Sequence, residues 1–355
     1  MPDNTAAKPT SYGREDASHS VSSLSQQASG ICSRGLESAA VAKQRRGSIE
    51  PGSISSPQTD RKKAYKHNVL AQPFLKWAGG KRQLLPTIKE YVPQKFGQYY
   101  EPFVGAGAIL FSLQPKKSVI NDTNKELINC YRVIKDDPEE LLELCQQHQD
   151  KNSKEHYYWL REQDRKDDFK DRSPQERAAR IIYLNKTCFN GLFRVNSSGQ
   201  FNVPYGNYSN PLIADPAVIR SVSAYLNQKD VRILEGDFAK AVATARKGAF
   251  IYFDPPYHPI SDTSSFTGYS VNGFGEEEQI RLKEVCDKLT ERGCQVLVSN
   301  SSASLIKELY SDPNYEIVEV KASRAINAVG SKRGRINELL IHNRYDRKQV
   351  NTSIG

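Results

Sequence analysis

Ile251-Tyr252-Phe253-Asp254-Pro255-Pro256-Tyr257 is an apolar, β-forming run that stops abruptly at an acid, two prolines and an aromatic ring. Proline has no amide hydrogen and a fixed φ, so the chain must leave its sheet at Pro255 and Pro256 with backbone carbonyls turned outward. The run therefore reads as a buried strand whose carboxyl end floors a pocket. A carboxylate, an outward carbonyl and an aromatic face so close together can hold a flat base that bears an amino group: acceptors for its hydrogens, a ring for its face. A strand followed by a plain Pro-Pro turn, with Asp254 solvated, fits the same residues, and the neighbouring stretches have to decide.

Working outward, strand-like runs recur at Tyr99 to Val104, Ser118 to Ile120, Val231 to Leu234, Cys294 to Asn300, Tyr315 to Val320 and Asn337 to Ile341. Helical patterns lie between them, for example Ile109, Leu110 and Leu113, or Ile280, Leu282, Val285 and Leu289. This alternation predicts an open, mostly parallel α/β sheet, which binds ligands at the carboxyl ends of its strands.

Each candidate site falls at such an end. Glu101-Pro102-Phe103-Val104-Gly105-Ala106-Gly107 closes one strand with Gly-x-Gly, a turn that lets a nucleoside approach the backbone. Leu110 stands where the third glycine of the dinucleotide fingerprint would be, which argues against a nicotinamide cofactor. Asp122 ends the next strand, where a ribose diol is usually held, although an N-cap for a helix over 123–135 explains it equally. Asp237-Phe238 closes a third strand and could hold a purine amino group and pack its face. Upstream, Phe74-Leu75-Lys76-Trp77-Ala78-Gly79-Gly80-Lys81 leads toward a helix and could place amides and Lys81 around an anion. It is not an ATP-binding loop: Leu75 occupies the first glycine position and Arg82 the magnesium-binding hydroxyl position.

From about 136 to 190 the texture is helical and charged, with apolar stripes at Leu141, Leu142 and Cys145 and at Ala178, Ile181, Ile182 and Leu184 to Asn185 that predict core packing. Asn190 to Tyr208 then alternates around Asn-Ser-Ser-Gly and reads as a β-hairpin. Its Arg194 suits a guanine edge and its Asn and Gln side chains suit adenine, or it is an ordinary exposed hairpin. A Ser/Thr-rich loop from Pro259 to Tyr269 reads as a lid or as plain surface. Arg324, Lys332 and Arg333 lie in a basic loop placed to meet phosphates.

The net charge of +9 over 355 residues favours a polyanionic partner. Six cysteines without paired spacing or neighbouring histidines suggest free thiols, with neither zinc nor a disulfide framework. No run is long and apolar enough for a membrane span, so a soluble cytoplasmic protein that uses no membrane and no metal is expected. Residues 1–68, rich in Ser, Gln and Ala and almost free of aromatics, are expected to be a disordered extension.

Taken together, the blocks at 74–81, 101–107, 190–194, 201–204 and 254–257 resemble the Dam-type DNA adenine methyltransferases in order and spacing. The resemblance implies a Rossmann-like α/β sheet dependent on S-adenosylmethionine, with an inserted helical and hairpin target-recognition domain. It implies a catalytic domain over 69–135 and 228–345, target recognition over 136–227, and a flexible tail at 346–355. Asp254, Pro255, Pro256 and Tyr257 are then catalytic, and Trp77, Lys81, Phe103, Gly105, Gly107, Asp122, Asp237, Phe238 and Asp254 bind the cofactor. Phe189, Asn190, Leu192, Arg194, Asn196 and Pro204 would meet double-stranded DNA, in the hairpin version that reads GATC. Phe189 stands where some relatives carry tyrosine. The implied activity is methylation of the adenine amino group after base flipping, in a bacterial or phage-encoded enzyme expected to be monomeric. A relative acting on RNA or protein amides, or a catalytically inactive DNA-binding regulator, remains the alternative.

Overall fold

The computed structural model describes residues 67–260, 273–323 and 335–347. In chain order these form α1 (Leu85–Glu90), β1 (Tyr99–Glu101), α2 (Ala108–Leu113), β2 (Lys117–Asp122), α3 (Lys125–Asp136), α4 (Pro138–Asp150), α5 (Lys154–Arg161), α6 (Pro174–Thr187) and α7 (Pro216–Gln228). There follow β3 (Asp230–Glu235), α8 (Phe238–Ala241), β4 (Phe250–Phe253), α9 (Glu276–Glu291), β5 (Gln295–Ser301), α10 (Ser304–Leu309), β6 (Glu316–Ser323) and β7 (Arg335–His342).

The strands make one seven-stranded sheet in the order β3-β2-β1-β4-β5-β7-β6. The pairs from β3 to β5 are parallel, and β7 alone runs antiparallel, between β5 and β6. This is the mostly parallel α/β sheet that the alternation predicts. Strand β4 shows why the run reads as continuously apolar: all four residues are buried, because both faces of a parallel sheet are covered by helices. Phe250 and Tyr252 face a core shared with α3, α4, α6 and α7, while Ile251 and Phe253 face one built from α9 and α10.

Helices α4 to α7 lie between β2 and β3 in sequence, and the stripes at Leu141, Cys145, Ile181 and Ile182 are buried as the periodicity predicts. Their ends are well specified. Pro174 opens α6 beneath a Ser173–Glu176 capping box, and Asp215 caps α7 by accepting from Ala217 and Val218. The cap of α3 corrects one alternative: Asn124, not Asp122, accepts from Leu127 at that helix start.

The 190–208 stretch folds back antiparallel, but as an irregular hairpin with isolated bridges at Val195↔Phe201 and Cys188↔Tyr205 and no regular strand. Consecutive left-handed residues, Asn190 (φ 57°) and Gly191 (φ 65°), together with Pro204, break the ladder. Among the described residues, Cys130, Cys145, Cys188, Cys286 and Cys294 are free and buried. No helix among the described residues is long and apolar enough to cross a membrane. The serine-rich loop after Ile260 and the basic-loop residues Arg324, Lys332 and Arg333 lie outside the described residues.

Candidate active site

Strand order reverses between β1 and β4, which are hydrogen-bonded neighbours, and the crevice at their carboxyl ends is where an open α/β sheet binds ligands. The loop after β1 enters α2 through Gly107 at φ 71°, where a side chain would meet the Tyr131 hydroxyl at 2.7 Å and the Phe111 ring at 2.9 Å. Only glycine fits there, so the turn keeps its backbone bare. Tyr131 Oη donates to the Gly105 carbonyl (3.0 Å), and a side chain at Gly105 would meet the Trp77 indole at 3.1 Å.

Asp122, at the end of β2, accepts from the Gly105 amide (3.1 Å) with one oxygen and from the Asn124 amide (3.0 Å) with the other. Burial raises its carboxyl above the ordinary value, and these amide donors oppose the rise. Phe103 stacks on Phe238 with ring centres 5.4 Å apart, giving the crevice an apolar wall beside Phe253 and Phe274. Asp237 caps α8 through the Ala239 and Lys240 amides and pairs with Arg281 at 2.7 Å, so its oxygens are already engaged.

On the β4 side, Lys81 is buried, and its Nζ lies 2.8 Å from Asp254 Oδ1, 3.0 Å from the Gly79 carbonyl and 4.5 Å from the centre of the Tyr257 ring. The lysine thus reaches across to the strand end instead of lying open to an anion. Tyr257 Oη donates to Glu338 at 2.7 Å, and Gln279 donates to the Pro256 carbonyl at 2.9 Å while Asn300 holds Gln279. These bonds fix the path of the Asp-Pro-Pro-Tyr loop. Burial pushes the Asp254 carboxyl up to about 6; Lys81 draws it back and Glu338 adds to the rise.

Glu101, at the end of β1, is fully enclosed, and burial lifts it to about 8 although the Tyr99 hydroxyl donates to it at 2.9 Å. It is therefore protonated at neutral pH. Between its ordinary value of 4.5 and about 8 the unfolded chain has released a proton that the folded chain keeps, so stability falls as pH rises through this window. Glu101→Gln is expected to remove that slope and to grow steadily more stable than the parent across it in urea titrations. Parallel curves for the two proteins would contradict the assignment.

The hairpin is bolted to the helices from behind. Asp164 Oδ2 accepts from the Phe201 amide (2.8 Å) and pairs with the buried Arg180 (2.8 Å), whose guanidinium also donates to the Leu160 and Arg161 carbonyls. Tyr157 Oη donates to the Val203 carbonyl at 2.8 Å. On the outer side Phe189, Asn190, Arg194 and Pro204 are exposed, while Leu192 is half-buried. Arg194 donates to the Asn202 side chain (2.7 Å) and carbonyl (3.1 Å), which aims its guanidinium. Asn196 builds the loop instead, its Oδ1 accepting from the Ser198 and Gln200 amides.

Trp77, Gly105 and Asp122 thus come together at one strand end, with Gly107 in the same turn, Lys81, Asp254 and Tyr257 come together at another, and Phe103 stacks on Phe238, next to Asp237. Sequence reasoning missed Glu101, Glu338, Gln279, Asn185 and the Asp164–Arg180 pair. Only Glu101 carried a signal, since an acid that closes a buried strand has to be neutral or paired. The others are partners across long sequence separations.

Residues 77–326 match the model of the D12 class N6 adenine-specific DNA methyltransferase family. A type II methyltransferase of Lactococcus lactis subsp. cremoris is 51% identical over 278 residues, 78% of this chain and 97% of the relative. A type II methyltransferase of Methanocaldococcus jannaschii is 43% identical, over 77% of this chain and 99% of the relative. The DNA adenine methylase of Escherichia coli is 35% identical, over 75% and 93%.

Proposed function

The chain belongs to the D12 class of N6 adenine-specific DNA methyltransferases, and from that membership we propose that it methylates the adenine of GATC in duplex DNA, after base flipping, with S-adenosylmethionine as donor. The observation that carries the site is Lys81: an amine nitrogen already rests 2.8 Å from Asp254 and over the face of Tyr257. A slot that seats one amine between a carboxylate and an aromatic ring suits the amino group of an extruded adenine.

The crevice fits the donor. The bare glycine turn admits a nucleoside, the apolar Phe103–Phe238 wall suits a purine face, and the half-buried Asp122 carboxylate beside the turn suits ribose hydroxyls. Trp77, Lys81, Phe103, Gly105, Gly107, Asp122, Asp237, Phe238 and Asp254 would hold it. When bound, it supplies a methyl group activated on a sulfonium sulfur.

The rest is the work of this chain's residues. The adenine amine is a poor nucleophile because its lone pair is delocalised into the ring. Asp254 and the Pro255 carbonyl would accept its hydrogens and favour a tetrahedral nitrogen, and Tyr257 would stack on the ring. A carboxylate raised to about 6 is a good acceptor for the proton that the methylated nitrogen must lose. Flipping costs a few kcal/mol, which stacking and these hydrogen bonds offset. Phe189, Asn190, Leu192, Arg194, Asn196 and Pro204 would form the groove-facing surface, with Arg324, Lys332 and Arg333 on phosphates. We assign catalysis to 69–135 and 228–345, target recognition to 136–227, and action as a monomer in the cytoplasm.

Arg194→Ala is expected to relax choice at one base pair of the site by about 1–3 kcal/mol, read as competition between GATC duplexes and singly altered ones. Equal weakening on every duplex would make Arg194 a phosphate contact instead. Methyl incorporation from labelled donor into duplex DNA, RNA and protein, measured side by side, tests the substrate class. Duplex DNA alone should be labelled, and preferential labelling of RNA or protein would overturn the proposal.

A further inference from the structure

One short segment is shared between the hairpin and the crevice. At one end, Asn185, fully buried on α6, accepts from the Lys76 amide (2.9 Å) and donates to the Lys76 carbonyl (2.8 Å) and the Gly191 carbonyl (3.1 Å). A side chain at Gly191 would stand 2.4 Å from Lys76 Cδ, so hairpin and segment touch without room for a Cβ. The Trp77 ring stacks on Phe193 with centres 4.6 Å apart and planes 25° from parallel, and Phe193 meets Phe201 edge-on at 5.7 Å. Trp77 also abuts Gly105, where an added Cβ would lie 3.1 Å from the indole. At the far end Lys81 pairs with Asp254.

Residue 193 neighbours Arg194, and residue 77 lies against the glycine turn. A movement of the hairpin that seats Arg194 must therefore press on Trp77, and a ligand that fixes Trp77 must pre-set Phe193. We propose that Asn185 and Phe193 are positioning residues that couple DNA reading by the hairpin to the methyl-donor crevice through segment 76–81, so that filling either site tightens binding at the other. The inference rests on the function proposed above and adds to it a physical route.

The test uses the full chain, a fluorescent duplex with one GATC, and S-adenosylhomocysteine as an unreactive donor analogue. Duplex affinity is measured by anisotropy with and without saturating analogue, and analogue affinity by calorimetry with and without duplex; linkage requires the same factor both ways. The parent is expected to show tightening of about 5-fold or more, within the usual range of coupling between sites. Phe193→Ala, at a half-buried position, should bring the factor close to unity while each ligand alone still binds. Phe193→Tyr, which keeps the stack, should restore the factor, and Asn185→Ala should lower it.

A merely structural role would weaken each affinity and leave the factor unchanged, and that outcome would overturn the proposal, as would a parent without coupling. A parent that bound neither duplex nor analogue would overturn the underlying function as well, which separates the two failures.

Discussion

Asp254→Asn is expected to lower turnover by about 10²–10⁴-fold, the range carried by a positioned proton acceptor. The substitution keeps the shape and one acceptor oxygen but removes the charge and the capacity to take a proton. Donor binding should survive in part, because Asp122, Phe103 and the glycine turn lie on other strands. The parent should lose kcat/KM as pH falls through about 6, where Asp254 gains a proton and with it loses an acceptor site. The Asn variant should show no limb there. Single-turnover rates across the pH range read both effects, and near-parental turnover in the variant would remove Asp254 from its role.

Arg180→Met should cost about 3–5 kcal/mol of stability, the usual penalty for removing one partner of a buried ion pair. Its guanidinium satisfies Asp164 and the carbonyls of Leu160 and Arg161 at once, and Asp164 also holds the Phe201 amide. The loss therefore reaches the hairpin: discrimination between GATC and altered duplexes should fall even where the variant is folded. Denaturant titration and duplex competition measure the two consequences. A cost below about 1 kcal/mol would mean that Arg165, also paired with Asp164, suffices alone.

What could be read from the chain alone was whatever is local. The apolar run before Asp254, the Gly-x-Gly turn and the proline breaks each carry their consequence in adjacent residues, and they placed the sheet and the crevice. The helical stripes did the same for α4 and α6. What could not be read was pairing across distance. Nothing near Lys81 announces a carboxylate 173 positions later in the chain, and nothing near Asn185 announces the backbone of residue 76. Asp122 shows the limit well: an acid between a strand and a helix fits a cap and a ligand site equally. The cap went to Asn124 only because the helix begins two residues later than the pattern implies. The hairpin was placed correctly, but its irregular arms depend on a left-handed Asn190 that side-chain alternation does not reveal.

Adenine methylation at GATC by the purified chain is the claim on which the rest depends. The most direct measurement is single-base mapping of methylated nucleosides on plasmid DNA that carries no prior modification, after incubation with S-adenosylmethionine. N6-methyladenine confined to GATC is the predicted result. Methyl groups on cytosine, or on adenines without regard to the flanking sequence, would contradict the account.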